Sequence, residues 1–394
     1  MSDEMIQHVF IVGSKGIPGK YGGYETFVDK LTQYHQDIEK IKYHVACKGN
    51  SNKEFNYNNA RCFTVKVPNI GAAQAVYYDI CAIDRCCKYI KENKIRKPII
   101  YILASRIGPC LGYFKKRIHK MGGRIFFNPD GHEWKRAKWN AIIQRYWKLS
   151  ERLMVKHSDL VICDSKNIEK YIRKNYRKYN PNTTYIAYGA ETKKSSFNNS
   201  NPELTKWYEE NELAIKSYYL IVGRFVPENN YEVMIREFMQ SKSERNLVII
   251  TETNEKFLDI LEEKLNLEMD DRIKFVGTLY NEEMLMKVRE NAYGYLHGHE
   301  VGGTNPSLLE ALGSTNVNLL INVVFNVEVA KDNAVYWNKE KGNLAALIDR
   351  VDNMTIDQTE EMGTQAKSRI KCAYSWELIT DSYKQVFIGK RKRS

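Results

Sequence analysis

Residues 293–312 read YGYLHGHEVGGTNPSLLEAL, an apolar run that passes through a glycine-rich loop into a helical pattern. Asn305 is a favourable N-cap residue and Pro306 suits the first helical position, so the pattern predicts that a helix begins there. The glycines let a ligand approach the backbone closely, and the N–H groups at a helix start attract an anion. This strand, loop and helix are typical of a doubly wound α/β domain with a ligand site beyond the strand's carboxyl end.

The same alternation extends through the chain on both sides of this stretch. Strand-like apolar runs lie at residues 8–13, 43–47, 62–67, 99–103, 124–128, 160–163, 184–188, 218–222, 247–251, 273–276, 293–297 and 317–321. Helical patterns lie between them, and a polar, turn-rich segment at 191–217 interrupts the series. Such alternation predicts parallel sheets covered on both faces. We therefore expect an α/β fold with two Rossmann-like, doubly wound domains facing across a cleft, at 1–190 and 191–375, and a C-terminal helix at about 376–394 that packs back on the first.

The composition is that of a globular protein, which excludes disordered and fibrous classes. The 394 residues are 43% hydrophobic and 27% charged. The eight cysteines form no Cys-x-x-Cys pair, which favours reduced, buried thiols and a cytoplasmic location. We find neither a signal-peptide pattern nor an apolar run long enough to span a bilayer, so we expect at most peripheral contact with a membrane.

The net charge of +12 is unevenly distributed. Residues 1–190 contain 34 lysines and arginines against 16 acidic residues, a balance of +18, whereas residues 191–394 have a balance of −6. This asymmetry predicts a polyanionic partner for the first half, either nucleic acid or an anionic lipid surface.

Three further strand-end loops carry groups suited to binding and catalysis. The loop Gly13–Glu25 contains five glycines before a helix start, an arrangement that favours anion binding, although its spacing does not match a dinucleotide fingerprint. The loop at 128–136 clusters Asp130, His132 and Glu133, which could orient hydroxyl groups or transfer protons. In the third loop, Arg224 could clamp a phosphate with its planar guanidinium.

Asp-x-Asp, a common metal-binding pattern for nucleotide sugars, is absent from the sequence, so we expect no metal and no other cofactor.

These loops, in this order, resemble retaining glycosyltransferases of the family 4 type, whose fold is called GT-B. The resemblance covers nearly the whole chain. The segments 16–25, 130–136 and 302–310 resemble more narrowly the bacterial rhamnosyltransferase branch, whose members build capsule and cell-wall polysaccharides. The resemblance implies a metal-independent hexosyltransferase that transfers L-rhamnose from dTDP-L-rhamnose to a lipid-pyrophosphate-linked glucose, with retention of configuration. It also implies that the enzyme acts in the cytoplasm, at the inner face of the plasma membrane.

The resemblance also implies roles for individual residues. Glu310 would bind the nucleotide ribose, and Arg224 would neutralise the diphosphate. Donor-binding residues would be Gly19, Gly22, Gly23, Arg224, Asn229, His297, Gly302, Gly303, Thr304, Asn305 and Glu310. Catalytic residues would be Asp130, His132, Glu133 and Arg224, and acceptor-binding residues Tyr21, Glu25, Trp134, Lys135 and Arg136.

Two positions depart from the family pattern. Gly302 occupies the position of the first glutamate of the Glu-(seven residues)-Glu motif, with Glu300 two residues earlier. Asn229 stands where a lysine usually follows the arginine by five positions.

Two other interpretations remain open: a nucleotide-sugar epimerase of the same architecture, and a basic nucleic-acid-binding protein. The epimerase gives no reason for the basic first half, and the nucleic-acid-binding protein gives none for the glycine loops or Glu310.

Overall fold

The computed structural model describes residues 6–19, 22–136 and 139–389. The chain divides into two compact units. The first consists of Met1–Gly189 with Trp376–Ser394, and the second of Ala190–Ser375. In the part of the chain that is described, no helix is both long and apolar enough to cross a membrane.

The first unit is built on an eight-stranded sheet. Its strands in chain order are β1 (Gln7–Val12), β2 (Ile41–Gly49), β3 (Glu54–Tyr57), β4 (Ala60–Lys66), β5 (Ile99–Leu103), β6 (Arg124–Asn128), β7 (Leu160–Cys163) and β8 (Thr183–Tyr185). They are arranged in the order β3-β4-β2-β1-β5-β6-β7-β8, and all neighbours are parallel except β3 and β4. The central strands are continuous apolar runs because both faces of a parallel sheet are buried.

The sequence does not predict strand β3 because this strand lacks an apolar face. Residues Glu54–Asn56 are exposed, and the strand pairs only with β4. A two-residue turn joins the pair, with Asn58 and Asn59 both in the left-handed region (φ 47° and 54°). Asparagine is among the residues that tolerate this conformation, which suits a tight hairpin.

Helices cover both faces of this sheet. They are α1 (Gly23–Tyr34), α2 (Gln74–Glu92), α3 (Gly108–Lys120), α4 (Ala141–His157), α5 (Lys166–Asn175) and, from the end of the chain, α14 (Trp376–Phe387). Helix α14 packs on the first unit through Tyr383, whose hydroxyl lies 3.0 Å from that of Tyr101, and through the ring of Phe387. Residues 390–394, which fall within the expected C-terminal helix, lie outside the described residues.

The second unit contains a six-stranded, fully parallel sheet. Its strands are β9 (Tyr218–Val222), β10 (Asn246–Ile250), β11 (Ile273–Phe275), β12 (Gly294–His297), β13 (Val317–Ile321) and β14 (Val335–Trp337). Their order is β11-β10-β9-β12-β13-β14. The chain order reverses between β9 and β12, and such a switch point is where ligands bind in open α/β sheets.

Eight helices complete the second unit: α6 (Pro202–Glu210), α7 (Tyr231–Gln240), α8 (Glu255–Leu265), α9 (Glu282–Asn291), α10 (Pro306–Ser314), α11 (Val324–Ala330), α12 (Asn343–Asp352) and α13 (Ile356–Tyr374). Helix α6 lies inside the segment 191–217 that the sequence marks as a break in the pattern. It forms because the Asn201 side chain caps it, accepting hydrogen bonds from the N–H groups of Glu203 and Leu204, and Pro202 takes the first helical position.

Candidate functional site

The loops after β9 and β12 are joined by hydrogen bonds at the switch point of the second sheet. The Asn230 side chain, at the end of the first loop, donates to the carbonyl of Gly298 over 2.7 Å. Because Asn230 adopts a left-handed conformation (φ 59°), it also turns the chain into α7. The loop that carries Arg224 is thus fixed beside the glycine-rich loop that leads into α10.

Helix α10 begins directly over the end of β9. The Asn305 side chain accepts a hydrogen bond from the N–H of Leu308, and the Ser307 hydroxyl donates to the carbonyl of Val222 over 3.0 Å. Gly302, in the approach to the helix, has a φ of 132°, a conformation that favours glycine. The structure therefore presents the amide-rich start of α10 next to the residues that follow β9, as an anion site requires.

Arg224 is exposed on the first of these loops, and in the described part of the chain its guanidinium is not engaged by a carboxylate. Its backbone carbonyl accepts a hydrogen bond from the Asn229 side chain over 2.8 Å, which closes the loop on itself. A guanidinium that is not neutralised and lies on a fixed loop is suited to binding a phosphate.

Glu310 is paired with Arg289, which the sequence alone does not predict as part of the site. The Glu310 Oε2 atom lies 2.7 Å from Nη2 of Arg289, at the end of α9. The Arg289 side chain is buried, with 6% of its surface exposed, whereas Glu310 is 37% exposed. One edge of the carboxylate is therefore fixed from inside the domain while the residue still reaches solvent.

Two histidines flank the glycine-rich loop. His297 is buried, and burial lowers its pKa to about 3, so the imidazole is neutral. Its Nε2 atom is buried and has no hydrogen-bond partner among the described residues. Nδ1 of His299 lies 2.7 Å from the Asn229 side-chain oxygen. The neighbouring Glu300 forms an ion pair with Lys339 over 2.8 Å, and Thr304 is buried.

The glycine loop of the first unit is held by two carboxylates. Glu25 is buried and accepts a hydrogen bond from the N–H of Lys15, while Asp29 accepts one from the N–H of Gly19, each over 2.6 Å. Gly22 precedes Gly23, the first residue of α1, and has a φ of 122°. Glu25 thus supports the loop backbone, and Tyr21, the other acceptor residue expected from this loop, lies outside the described residues.

The loop after β6 turns at Asp130, which has a left-handed backbone (φ 60°) and donates its N–H to the Asn128 side chain over 2.9 Å. Burial raises the pKa of the Asp130 carboxyl, although the charge of Arg136 opposes this effect. Burial likewise lowers the pKa of His132 to about 4, so this imidazole is neutral near pH 7. Its ring packs edge-on against Tyr171, with centroids 4.4 Å apart.

The remaining predicted residues of this loop contact one another and their surroundings. Glu133 forms an ion pair with Arg136 over 2.6 Å and accepts a hydrogen bond from the Trp139 indole over 3.0 Å. Trp134 is flanked by two lysines, with Nζ of Lys135 5.3 Å and Nζ of Lys148 4.4 Å from its ring. Trp134 and Lys135, two of the predicted acceptor residues, therefore place an aromatic ring and a cation side by side, and Lys148 adds a second cation at the same ring.

A buried polar group beneath these loops was not predicted from the sequence. Arg106, after β5, donates to the carbonyl of Gly13 over 2.7 Å and pairs with buried Asp79 over 3.3 Å. Burial raises the pKa of Asp79 to about 6. The Tyr24 hydroxyl is also buried, without a hydrogen-bond partner in the described part of the chain.

Across residues 6–19, 22–136 and 139–389, no group of three or more His, Cys, Asp or Glu side chains is arranged to hold a metal ion.

Comparison with protein families finds a match over the first half of the chain. A model described as a domain of unknown function (DUF1972) matches residues 6–191, slightly less than half of the chain. A comparison with curated protein sequences finds no match.

Several solved structures share the fold over nearly the whole chain. Sucrose-phosphate synthase from Thermosynechococcus elongatus has a TM-score of 0.77 at 14% identity, covering 98% of this chain and 99% of that one. A glycosyltransferase from Rickettsia africae has a TM-score of 0.73 at 13% identity, covering 98% and 100%. HepE from Anabaena, in complex with UDP and glucose, has a TM-score of 0.70 at 13% identity, covering 98% and 100%.

These comparisons confirm the predicted fold class. The chain has an α/β fold with two parallel-sheet domains, and it matches the GT-B architecture of the solved structures. Because the identities are low, the likeness establishes the fold, and the activity has to be argued from the residues.

Proposed function

We propose that the protein is a glycosyltransferase that transfers a sugar from a nucleotide diphosphate to an acceptor. The observation that carries this proposal is the placement of Arg224 beside the start of α10, at the switch point of the second sheet. A leaving diphosphate develops negative charge, which a guanidinium and a set of backbone amides stabilise without rearrangement. Glu310, one turn further into α10, is suited to accept hydrogen bonds from the ribose hydroxyls.

We further propose that the donor is dTDP-L-rhamnose and the acceptor a lipid-pyrophosphate-linked glucose, in the synthesis of a capsular or cell-wall polysaccharide. This step rests on the resemblance of segments 16–25, 130–136 and 302–310 to the rhamnosyltransferase branch. In the retaining mechanism of that branch, the leaving phosphate takes the acceptor's proton, so the protein has to orient the acceptor and stabilise charge. No protein base and no metal are required.

The acceptor is proposed to bind the first unit, near the end of β6. His132 is neutral near pH 7 because burial lowers its pKa, so it can both donate and accept hydrogen bonds with a sugar hydroxyl. Asp130, with its pKa raised by burial, lies two residues away. Trp134 with Lys135 offers an aromatic face and a cation, which suit a sugar ring and a pyrophosphate respectively.

The membrane contact is proposed to involve α3 and α4. These helices pack directly together, with the N–H of Gly108 donating to the Ser150 hydroxyl over 2.8 Å. Helix α3 contains no acidic residue, and Glu151, the acidic residue of α4, is buried. The exposed side chains combine apolar and cationic groups: Tyr113, Lys116, Lys120, Ile142, Arg145, Leu149, Arg152 and Lys156. This combination suits the surface of an anionic leaflet, at about 1 kcal/mol per basic residue.

The test is a transfer assay with a panel of dTDP- and UDP-sugars and a synthetic lipid-pyrophosphate-linked glucose, with products identified by mass. We expect a product heavier than the acceptor by one deoxyhexose, formed only with dTDP-L-rhamnose and without added metal. An α-linked or β-linked product, read by NMR against the donor's anomeric configuration, decides retention. Modification of the donor in the absence of acceptor would instead indicate an epimerase, and no reaction with any donor would refute the proposal.

A further inference from the structure

The first unit contains a cavity of about 1020 Å³ at the edge of its sheet where β6, β7 and β8 begin. Its walls come from the starts of these strands, from the end of α5 with the turn that follows, and from the end of α14. The loop that carries Asp130 follows the opposite end of β6, five residues of extended chain or about 17 Å away. The cavity is therefore separate from the candidate acceptor site.

Three arginines from separate elements line the cavity. Arg124 is the first residue of β6, Arg173 lies in the last turn of α5, and Arg177 begins the short turn that leads to β8. The position of this turn is set by the buried Tyr176 and by Asn180, whose left-handed backbone (φ 44°) directs the chain toward the strand. The fold thus fixes the backbone of all three cationic residues around one space.

The three guanidinium groups differ in the contacts that they make. Arg173 is paired with Glu169 over 3.0 Å, whereas Arg124 lies over the ring of Phe126, with Cζ 5.2 Å from the ring centroid. In the described part of the chain, neither Arg124 nor Arg177 is paired with a carboxylate. Two positive charges at the cavity are therefore left for a ligand, and the planar guanidinium fork matches the oxygens of a phosphate.

The acidic residue in the lining, Asp159, is already bound by other groups. Its carboxylate accepts a hydrogen bond from the N–H of Ile125 over 2.8 Å and contacts His119 at 2.9 Å and Lys115 at 3.4 Å. The latter two residues belong to α3. The cavity consequently adjoins one of the two helices of the proposed membrane surface.

An apolar wall lies beside the arginines, formed by Phe126, Leu160, Pro181 and Val386. The ring of Phe126 in turn stacks on Phe387 of α14, with centroids 6.3 Å apart. A small hydrophilic anion would leave this wall in contact with water, whereas an amphiphile that carries a phosphate would cover it. The cavity volume is close to the upper end of the range of about 300–1,000 Å³ that is typical of small-molecule sites.

We propose that this cavity binds the phosphate diester of an anionic phospholipid. Arg124 and Arg177 contact the phosphate, and the apolar wall contacts the glycerol and the first carbons of the acyl chains. The charge of the arginines, the apolar wall and the position beside α3 together favour a lipid over a soluble phosphate. The site extends the proposed membrane contact, and it depends neither on the identity of the donor nor on sugar transfer.

The test is calorimetric titration of the full chain with dihexanoyl phosphatidylglycerol below its micelle concentration, so that a bilayer surface does not contribute. We expect this lipid to bind, and dihexanoyl phosphatidylcholine to bind at least about fivefold more weakly because its headgroup carries a cation. Glycerophosphoglycerol, the same anionic headgroup without acyl chains, should also bind at least about fivefold more weakly, because it cannot cover the apolar wall.

Arg124→Gln/Arg177→Gln should bind the short-chain lipid at least about tenfold more weakly than wild type. Both arginines are exposed, so the variant should unfold within about 4 °C of the wild type. Arg177→Lys keeps the charge without the fork and should lose less affinity than Arg177→Gln. The matched control is Lys91→Gln/Arg96→Gln, which removes two exposed cations of the same unit outside the lining and should bind like the wild type.

Wild-type affinity in the double arginine variant, or no binding of the short-chain lipid by the wild type, would overturn this site. Equal affinity for glycerophosphoglycerol and the lipid would overturn the assignment to a lipid in favour of a soluble phosphate diester. Ile142→Asp, on the α3–α4 surface, should leave this binding unchanged, and a loss there would place the lipid on that surface instead of in the cavity. None of these outcomes bears on the transferase, which the assay with nucleotide sugars tests separately.

Discussion

The carboxylate of Glu310 and the guanidinium of Arg289 lie 2.7 Å apart, with the arginine buried and the glutamate partly exposed. A buried arginine requires a partner, because leaving its charge uncompensated is costly. Glu310 therefore has two roles that a single substitution would confuse: it neutralises Arg289, and in the proposed function it binds ribose. The pair links the stability of the α9–α10 contact to the donor site.

Glu310→Ala should lower transfer by at least tenfold, about 1.4 kcal/mol in transition-state binding, and should also destabilise the fold. The double variant Arg289→Met/Glu310→Ala removes both charges, so we expect stability to recover toward the wild type. Transfer should not recover, because the ribose contact is still absent. Steady-state kinetics and denaturant unfolding of both variants check this, and full activity in the double variant would refute the assignment of Glu310.

Arg224→Ala should lower transfer by at least tenfold with a change in unfolding free energy within about 0.5 kcal/mol. The separation is expected because Arg224 is exposed and not paired with a carboxylate in the described part of the chain. Arg350→Ala, at another exposed arginine of the same unit, should leave transfer unchanged. Comparable activity loss in both variants would point to a general charge effect instead of a diphosphate contact.

The strands of the two sheets were largely predictable because buried parallel strands are continuous apolar runs. Ile99–Leu103 and Val317–Ile321 have the bounds that the sequence indicated. Strand β3 was not predicted, since it is exposed, and the short strand β14 was not predicted either. The hydrophobic pattern was too short or too weak at both places to distinguish a strand from a loop.

The sequence identified the loops at the strand ends but not the residues that support them from elsewhere. Arg224 and Asn305 were recognisable because each lies in a loop that follows an apolar strand. Arg289, Lys339 and Arg106 act through partners that are distant in sequence: Glu310, Glu300 and Gly13. These contacts depend on strand order, which local spacing does not determine.

Acidification should destabilise the protein below about pH 6.5, the ordinary pKa of histidine. Burial lowers the pKa of four histidines to between about 3 and about 4: His35, His44, His132 and His297. Below about pH 6.5 the unfolded chain therefore binds protons that the folded chain does not. The free energy of unfolding is thus highest above this pH and falls as the pH drops, by up to roughly 1.4 kcal/mol per histidine and pH unit. Asp79 opposes this between about pH 4 and 6, because its pKa is raised in the folded state.

Urea unfolding at pH 7.5, 6.5 and 5.5 measures this dependence. His44→Phe removes one of the four buried imidazoles. The slope of the unfolding free energy against pH should therefore decrease by an amount that corresponds to at most one bound proton. His44 stacks on Phe10 with centroids 4.1 Å apart, so an aromatic replacement suits the site. A wild-type stability that is constant from pH 7.5 to 5.5 would contradict the prediction.

Ile142→Asp should weaken binding to anionic vesicles by at least fivefold, since it removes an apolar contact and adds a negative charge within the proposed α3–α4 surface. Ile142 is 77% exposed, so the fold should tolerate the change. Ile356→Asp is a matched control, because Ile356 is 75% exposed but belongs to the second unit. Co-sedimentation with phosphatidylglycerol vesicles, repeated at about 0.5 M salt to screen the charges, tests the electrostatic part. Equal loss in both variants, or binding that salt does not weaken, would count against this surface.

Gly22→Ala should lower transfer by at least tenfold while leaving the affinity for dTDP within about twofold of wild type. A Cβ atom at Gly22 would lie 2.1 Å from Oε2 of Glu25, and the φ of 122° is itself unfavourable for alanine. The displaced carboxylate could no longer support the N–H of Lys15, so the glycine loop would change shape, whereas the proposed nucleotide site is in the second unit. Gly71→Ala is the matched control, because Gly71 also has a positive φ (59°) but would meet nothing within 4 Å. If Gly71→Ala loses as much transfer as Gly22→Ala, backbone strain alone explains the effect, and the glycine loop has no specific part in the reaction.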